Sequence, residues 1–196
     1  MNAVVVGYGA IGPVHAMALD KIEGVTLYGI CDIVKERADS AAKEYGVKIA
    51  LENMWGRDNE LNRIVPNVCS VAEDFNRYVD ALNPDNFTAC LDLGHCGLVG
   101  DNAGAMIRQM GSRLGCLHIH DNDHLNDSHT LPYMMKMDWD DILHALGEID
   151  YKGNFTYEAD RFLGGFPDDL LPACERFMHD VGRSMMRKIE KYRVKK

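Results

Sequence analysis

The chain has 196 residues, with 21 Lys plus Arg against 30 Asp plus Glu and a formal charge of −9. That balance excludes a broad nucleic-acid surface, which needs clustered cations to neutralise phosphates; the one basic cluster, residues 187–196, reads as a solvated helix end. No apolar run approaches the roughly 18 residues of a membrane span, and a complete eight-stranded α/β barrel typically takes about 250 residues.

Short β-branched or apolar runs alternate with longer helical stretches, the pattern of parallel βα units. The first predicted strand, residues 3–6, runs into Gly7-Tyr8-Gly9-Ala10-Ile11-Gly12 and then a helix over 11–22. This is G-x-G-x-x-G with a strand before it and a helix after it. Gly7 allows the tight turn, Gly9 lets backbone approach a pyrophosphate, and Gly12 lets helix pack on strand. A second strand over 26–31 leads to Asp32, 20 residues after Gly12, where a carboxylate accepts from a ribose 2′-hydroxyl. A helix is predicted over 34–45. The competing reading is a tight βα turn that binds nothing. Through Val4-Val5, Gly7 to Gly12, His15 and Ile30-Cys31-Asp32, residues 1–48 resemble the N-terminus of the Gfo/Idh/MocA family of nicotinamide-dependent sugar oxidoreductases. That resemblance implies NAD(P) as a cofactor, held by Gly7, Gly9, Gly12 and Asp32.

Four more strands are predicted over 47–52, 88–92, 115–120 and 154–158, alternating with helices over 71–82, 102–112, 139–149 and 169–191. All four strands end in acid or imidazole. They read Leu51-Glu52-Asn53, Leu91-Asp92-Leu93-Gly94-His95, Leu117-His118-Ile119-His120-Asp121 and Tyr157-Glu158-Ala159. In βα architectures the active site sits at the carboxyl ends of the strands, so Glu52, Asp92, His118 and Glu158 are expected to converge on one point. Three carboxylates and one imidazole suit a divalent ion such as Mn²⁺, Mg²⁺ or Co²⁺. Of His118 and His120 on one strand, a single side chain is expected at the site. His124, His129, His144 and His179 read as surface or loop histidines. Asp138 is the expected N-cap of the helix at Trp139, and Asp168 and Asp169 suit the first turn of the last helix. The six cysteines (Cys31, Cys69, Cys90, Cys96, Cys116 and Cys174) form no CxxC pair, and they read as buried thiols in a reducing, cytoplasmic compartment.

From about Lys48 to Tyr192 the chain resembles the xylose-isomerase-like TIM-barrel family of sugar (phosphate) isomerases and epimerases. The resemblance rests on Ala50-Leu51-Glu52-Asn53, Asp92-Leu93-Gly94-His95, His118-Ile119-His120-Asp121-Asn122-Asp123, His129-Thr130-Leu131-Pro132, Met137-Asp138-Trp139 and Tyr151 to Glu158. It implies that Glu52, Asp92, His118 and Glu158 bind the divalent metal, that Glu52 and Glu158 also move the proton, and that His95 contacts substrate. His124 stands where some epimerases of the family carry an Arg, which makes it a second substrate-binding candidate. The chemistry fits the residues: a metal polarises an α-hydroxy carbonyl and stabilises a developing enediolate, while two opposed carboxylates remove and return the proton.

The expected fold is α/β, built of parallel βα units: a partial (half) TIM barrel over residues 49–196, preceded by a truncated Rossmann βαβ segment over 1–48. Whether the sheet closes, stays open or pairs with another copy is left open. The leading expectation is a divalent-metal-dependent isomerase or epimerase of a sugar or sugar phosphate. An NAD(P)-dependent oxidoreductase fragment and a non-catalytic metal- or sugar-binding module are the alternatives. The expected partner is a small-molecule sugar, with no nucleic acid and no membrane, in a homo-oligomer.

Overall fold

The computed structural model describes residues 2–6, 12–31, 44, 48–82 and 84–193. Gly7, Gly9, Asp32 and, apart from Glu44, the helix predicted over 34–45 lie outside them. The chain divides into two compact units, Met1–Leu51 with Arg77–Ala89, and Glu52–Asn76 with Cys90–Lys196.

The first unit contains β1 (Asn2–Val6), α1 (Gly12–Asp20), β2 (Thr26–Cys31) and all but the last residue of β3 (Lys48–Glu52). β1 pairs parallel with β2, with a register shift between Ala3 and Val4, and β2 pairs parallel with β3 through Gly29 with Lys48 and Ile30 with Ile49. Ala16, Ile49 and Ala50 are buried, so one side of α1 and the middle of β3 face apolar surroundings.

The second unit opens with an antiparallel hairpin, β4 (Trp55–Asp58) and β5 (Arg63–Pro66), absent from the predicted elements. Helix α2 (Ala72–Asp80) starts in this unit and buries Phe75 completely. β6 (Phe87–Asp92) ends in it and leads straight into α3 (Leu93–Leu98). There follow α4 (Ala103–Met110), β7 (Leu114–Ile119), α5 (Trp139–Glu148), β8 (Asn154–Tyr157), α6 (Asp160–Leu163) and the long α7 (Leu171–Tyr192). β7 and β8 run parallel, with His118 opposite Thr156. The parallel βα architecture is as the alternation of runs implied.

Capping side chains start several of these helices. Asp92 accepts from His95 N at 2.7 Å, Asn102 from Ala105 N at 2.6 Å and Asp138 from Asp141 N at 3.1 Å, each satisfying a backbone N–H that has no partner inside its own helix. Asp138 is therefore the cap that the residue pattern indicated. The last helix starts later than expected. Pro172 occupies its first turn, where a missing N–H costs nothing, so Asp168 and Asp169 precede α7 instead of lying in its first turn. The core of this unit is built from Leu91 of β6, Leu117 and Ile119 of β7, Met106, Ile107 and Met110 of α4, and Ile142, Leu143 and Leu146 of α5, all almost wholly buried. No helix among the described residues is long and apolar enough to cross a membrane.

Candidate metal centre

Glu52 is the last residue of β3, Asp92 the last of β6, and His118 the last but one of β7, while Glu158 directly follows β8. In the second unit these four side chains come together, with one donor atom from each inside a sphere where all lie within 4.8 Å of one another. His118 Nδ1 is 2.9 Å from Glu52 Oε1, 3.0 Å from Glu158 Oε2 and 4.0 Å from Asp92 Oδ2. Asp92 is fully buried, and its Oδ2 has no hydrogen-bond partner among the described residues. A buried carboxylate oxygen left without a donor, beside two further carboxylates and an imidazole, is a donor set that fits a divalent cation.

The surrounding chain holds these groups in place. Asn53, buried behind Glu52, donates from Nδ2 to the Asp92 carbonyl at 2.9 Å and accepts from the Asp92 N–H at 2.7 Å, which ties the end of β6 to the residue after Glu52. Asp92 spends its other oxygen, Oδ1, on the His95 N–H and on His120 Nε2, the latter at 3.0 Å. Burial opposes the charge on Asp92, but the hydrogen bond and charge of His120 and the charge of His95 outweigh it and hold the carboxyl below the usual carboxylate range. Burial likewise opposes a proton on His118, yet hydrogen bonds to Glu158 and Glu52 push its pKa up to about 11. Without a cation, a proton on His118 partly neutralises the carboxylates.

The expectation for the paired histidines changes. Residues two apart along a strand share a face, and His118 and His120 both turn toward Asp92, one toward each oxygen. His95 donates from Nδ1 to the Asn53 carbonyl at 2.9 Å and lies beside the four-residue group. His124 is not brought there: its ring nitrogens face the carbonyls of Gly97 and Lys136, at 3.2 Å each. His129, read from the sequence as a loop histidine, is part-buried and stacks on His120, with ring centroids 4.3 Å apart and planes at 10°. Asp127, which no motif singled out, lies beside both. A dense run of His and Asp from 118 to 129 was the signal for these two. A cleft of about 450 Å³ opens next to Glu158, lined by His129, Tyr157, Asp160, Arg161 and Met178, a volume that admits a small sugar.

Comparison with known proteins identifies the relatives. The family described as "Xylose isomerase-like TIM barrel" matches residues 13–171. D-psicose 3-epimerase of Enterocloster bolteae is 29% identical over 124 residues, 63% of this chain and 37% of that one. A solved D-tagatose 3-epimerase-like protein shares the fold with a TM-score of 0.61 at 17% identity, over 96% of this chain and 77% of that one. The structure of IOLI protein with a bound zinc atom gives a TM-score of 0.58 at 24% identity, over 98% of this chain and 76% of that one. The matches span only 28% to 38% of the length of the curated relatives. Four strand ends carrying Glu, Asp, His and Glu, in a parallel βα fold that this family model covers from residue 13 to 171, agree with one another, and the chain belongs to the xylose isomerase-like TIM-barrel family.

Proposed function

We propose that this chain is a divalent-metal-dependent isomerase or epimerase of a sugar or sugar phosphate, with Glu52, Asp92, His118 and Glu158 as metal ligands. The observation that carries the reading is the convergence of these four groups at one sheet end. A bound divalent ion supplies Lewis acidity toward a substrate carbonyl. Glu52 and Glu158 approach His118 Nδ1 from different strands, at 2.9 and 3.0 Å. Two carboxylates beside a bound sugar can take a proton from the carbon next to its carbonyl and return one to the other face. His95, and by sequence position His124, are assigned to substrate. The metal is Mn²⁺, Mg²⁺ or Co²⁺ by donor type, and the zinc of the IOLI structure adds Zn²⁺ to the ions to be tried.

The test is proton exchange. Protein loaded with Mn²⁺ is incubated in D₂O with free and phosphorylated ketoses, D-psicose included, and deuterium at the carbon next to the carbonyl is followed by NMR. Incorporation is expected, and Glu52→Gln and Glu158→Gln should each reduce it by about 10² to 10⁴-fold. Metal binding with no exchange on any ketose would instead favour a non-catalytic metal- or sugar-binding module.

A second reading rests on the N-terminal segment over 1–48, proposed as a truncated Rossmann unit that takes NAD(P) through Gly7, Gly9, Gly12 and Asp32. The order of β1, glycine loop and α1 supports it. NADH binding that disappears in Asp32→Ala would establish it. Residues 49–196 are proposed as the half-barrel portion. Exposed Phe166, Leu170 and Phe177 support a homo-oligomer, and the buried thiols of Cys69, Cys96 and Cys174 support a reducing, cytoplasmic setting.

A further inference from the structure

We propose that Cys90 and Cys116 are an oxidation site, a pair of thiols that a hydroperoxide closes into a reversible disulfide, and that this bond weakens metal binding by Glu52, Asp92, His118 and Glu158. The effect on the metal rests on the metal centre proposed above, whereas the disulfide does not.

Three observations carry it. The first is contact. The two thiols hydrogen-bond to each other from β6 and β7, which are neighbours in the sheet. Neighbouring strands lie about 4.7–4.9 Å apart, within the Cα separation of roughly 4.4–6.8 Å that a disulfide spans. The second is access. Cys116 is part-exposed and Cys90 is buried, so an oxidant reaches one sulfur while the other waits beside it. Sites of reversible thiol oxidation have this make-up, an accessible cysteine with a resolving one next to it. By contrast Cys69, Cys96 and Cys174 are buried, and burial pushes the Cys69 and Cys96 thiols up, which keeps them in the unreactive form. The third is position. Cys90 stands two residues before Asp92 and Cys116 two before His118, and residues two apart on a strand share a face. The thiol pair therefore lies on the sheet face that carries these metal ligands, one step back from the carboxyl edge. Leu91 and Leu117, between them, are buried on the opposite face.

One molecule of hydrogen peroxide balances the reaction. The Cys116 sulfur attacks a peroxide oxygen, the O–O bond breaks, and a sulfenic acid forms while the thiol proton leaves with the second oxygen as water. The Cys90 sulfur then displaces the sulfenic oxygen, which leaves as water with the Cys90 proton as the S–S bond forms. Two thiols lose two electrons and the peroxide gains them. Closure brings the sulfurs from hydrogen-bond contact to a bond of about 2.0 Å. It draws β6 and β7 together just before Asp92 and His118, and so shifts two of the four ligands.

The experiment treats the full chain, reduced and freed of metal, with hydrogen peroxide. Free thiols are counted by alkylation, disulfides are located by non-reducing peptide mapping, and Mn²⁺ is titrated, before oxidation, after it, and again once dithiothreitol has been added and removed. Free thiols are expected to fall from six to four, with one link, between Cys90 and Cys116. Mn²⁺ affinity should fall by about 10- to 100-fold, the loss typical of removing a group that orients metal ligands. Dithiothreitol should restore both. Cys116→Ser should keep its Mn²⁺ affinity through the same treatment, and the wild-type map decides the site should that variant fail to fold. Six free thiols after oxidation, a link to any other cysteine, or Cys116 recovered as sulfinic or sulfonic acid would overturn the oxidation site. A mapped link with unchanged Mn²⁺ affinity would overturn its effect on the metal. Reduced wild type that binds no Mn²⁺ would overturn the proposed metal centre and that effect with it, while the map still decides the disulfide.

Discussion

Asp121 is fully buried and accepts three hydrogen bonds, from the backbone N–H of Met135 and of Met137 at 3.0 Å and from Trp139 Nε1 at 2.9 Å. Its own N–H donates to the Thr130 carbonyl at 2.8 Å, so one side chain and its backbone shape the segment that carries Asp127 and His129. Replacing it by Ala strands two buried donors, the Met137 N–H and Trp139 Nε1, at about 1–3 kcal/mol each, and a third, part-buried one at Met135. Asp121→Ala is therefore expected to lower unfolding stability by at least about 2 kcal/mol, measured by urea titration. His118 makes a prediction in pH. Its pKa is raised from 6.5 to about 11 in the metal-free protein, so its contribution is complete below about 6.5 and is lost as pH rises toward 11. The unfolding midpoint of metal-free protein should fall between about pH 7 and pH 10, and Glu52→Gln should flatten that decline. Single positions also show what the sequence could reveal. The meeting of Glu52, Asp92, His118 and Glu158 was legible because each lies at or beside the carboxyl end of a strand, and strand ends share an edge in this architecture. Asp127 and His129 were not, because they lie in irregular chain whose path Asp121 sets through contacts 14 to 18 residues away in sequence.

Helices α5 and α7 meet at Gly147, where an added Cβ would lie 2.5 Å from Tyr192 Cβ and 2.9 Å from the Ile189 carbonyl oxygen. The second of these is backbone and cannot swing aside. Gly147→Ala gains about 1 kcal/mol of helix propensity but incurs about 1–3 kcal/mol of overpacking. It should therefore be net destabilising, whereas an exposed helical glycine would gain from the same change; the denaturant midpoint reports the sign. Strong patterns carried most elements. The predicted strand over 26–31 coincides with β2, and Trp139 begins α5 where Asp138 announced a cap. The missed pieces lack a pattern. β4 and β5 have four residues each and no run of alternating apolar side chains, and their loop turns through Asn62 at φ 47°. Helix α3 reads Leu-Gly-His-Cys-Gly-Leu, with two residues of poor helix propensity. It forms because Asp92 caps its start and because all six of its residues are buried.

Cation binding links these parts to the stability of the folded chain. A ligand that binds only the native state raises stability by RT ln(1 + [L]/Kd), about 2.7 kcal/mol at a hundredfold excess over Kd. Mn²⁺ is expected to raise the thermal midpoint of the wild type, and the combined Asp92→Ala and His118→Ala substitutions should abolish the rise; an unchanged wild-type midpoint would sink the catalytic centre. The family match reaches back to residue 13, into the stretch where the glycine pattern pointed to a different family. Local signals pointed to the parallel α/β class, to the described strands other than β4 and β5, and to the four residues at the ends of β3, β6, β7 and β8. They could do so because strand and helix periodicity, caps and strand-end chemistry are properties of near neighbours in sequence. Folding alone brought Asn53 to Asp92, turned His120 as well as His118 toward that carboxylate, and gathered His95, Asp127 and His129 around a common point. Those contacts join residues 26 to 39 apart, or lie in irregular chain, and no period in the sequence encodes a meeting that depends on where separate elements come to rest.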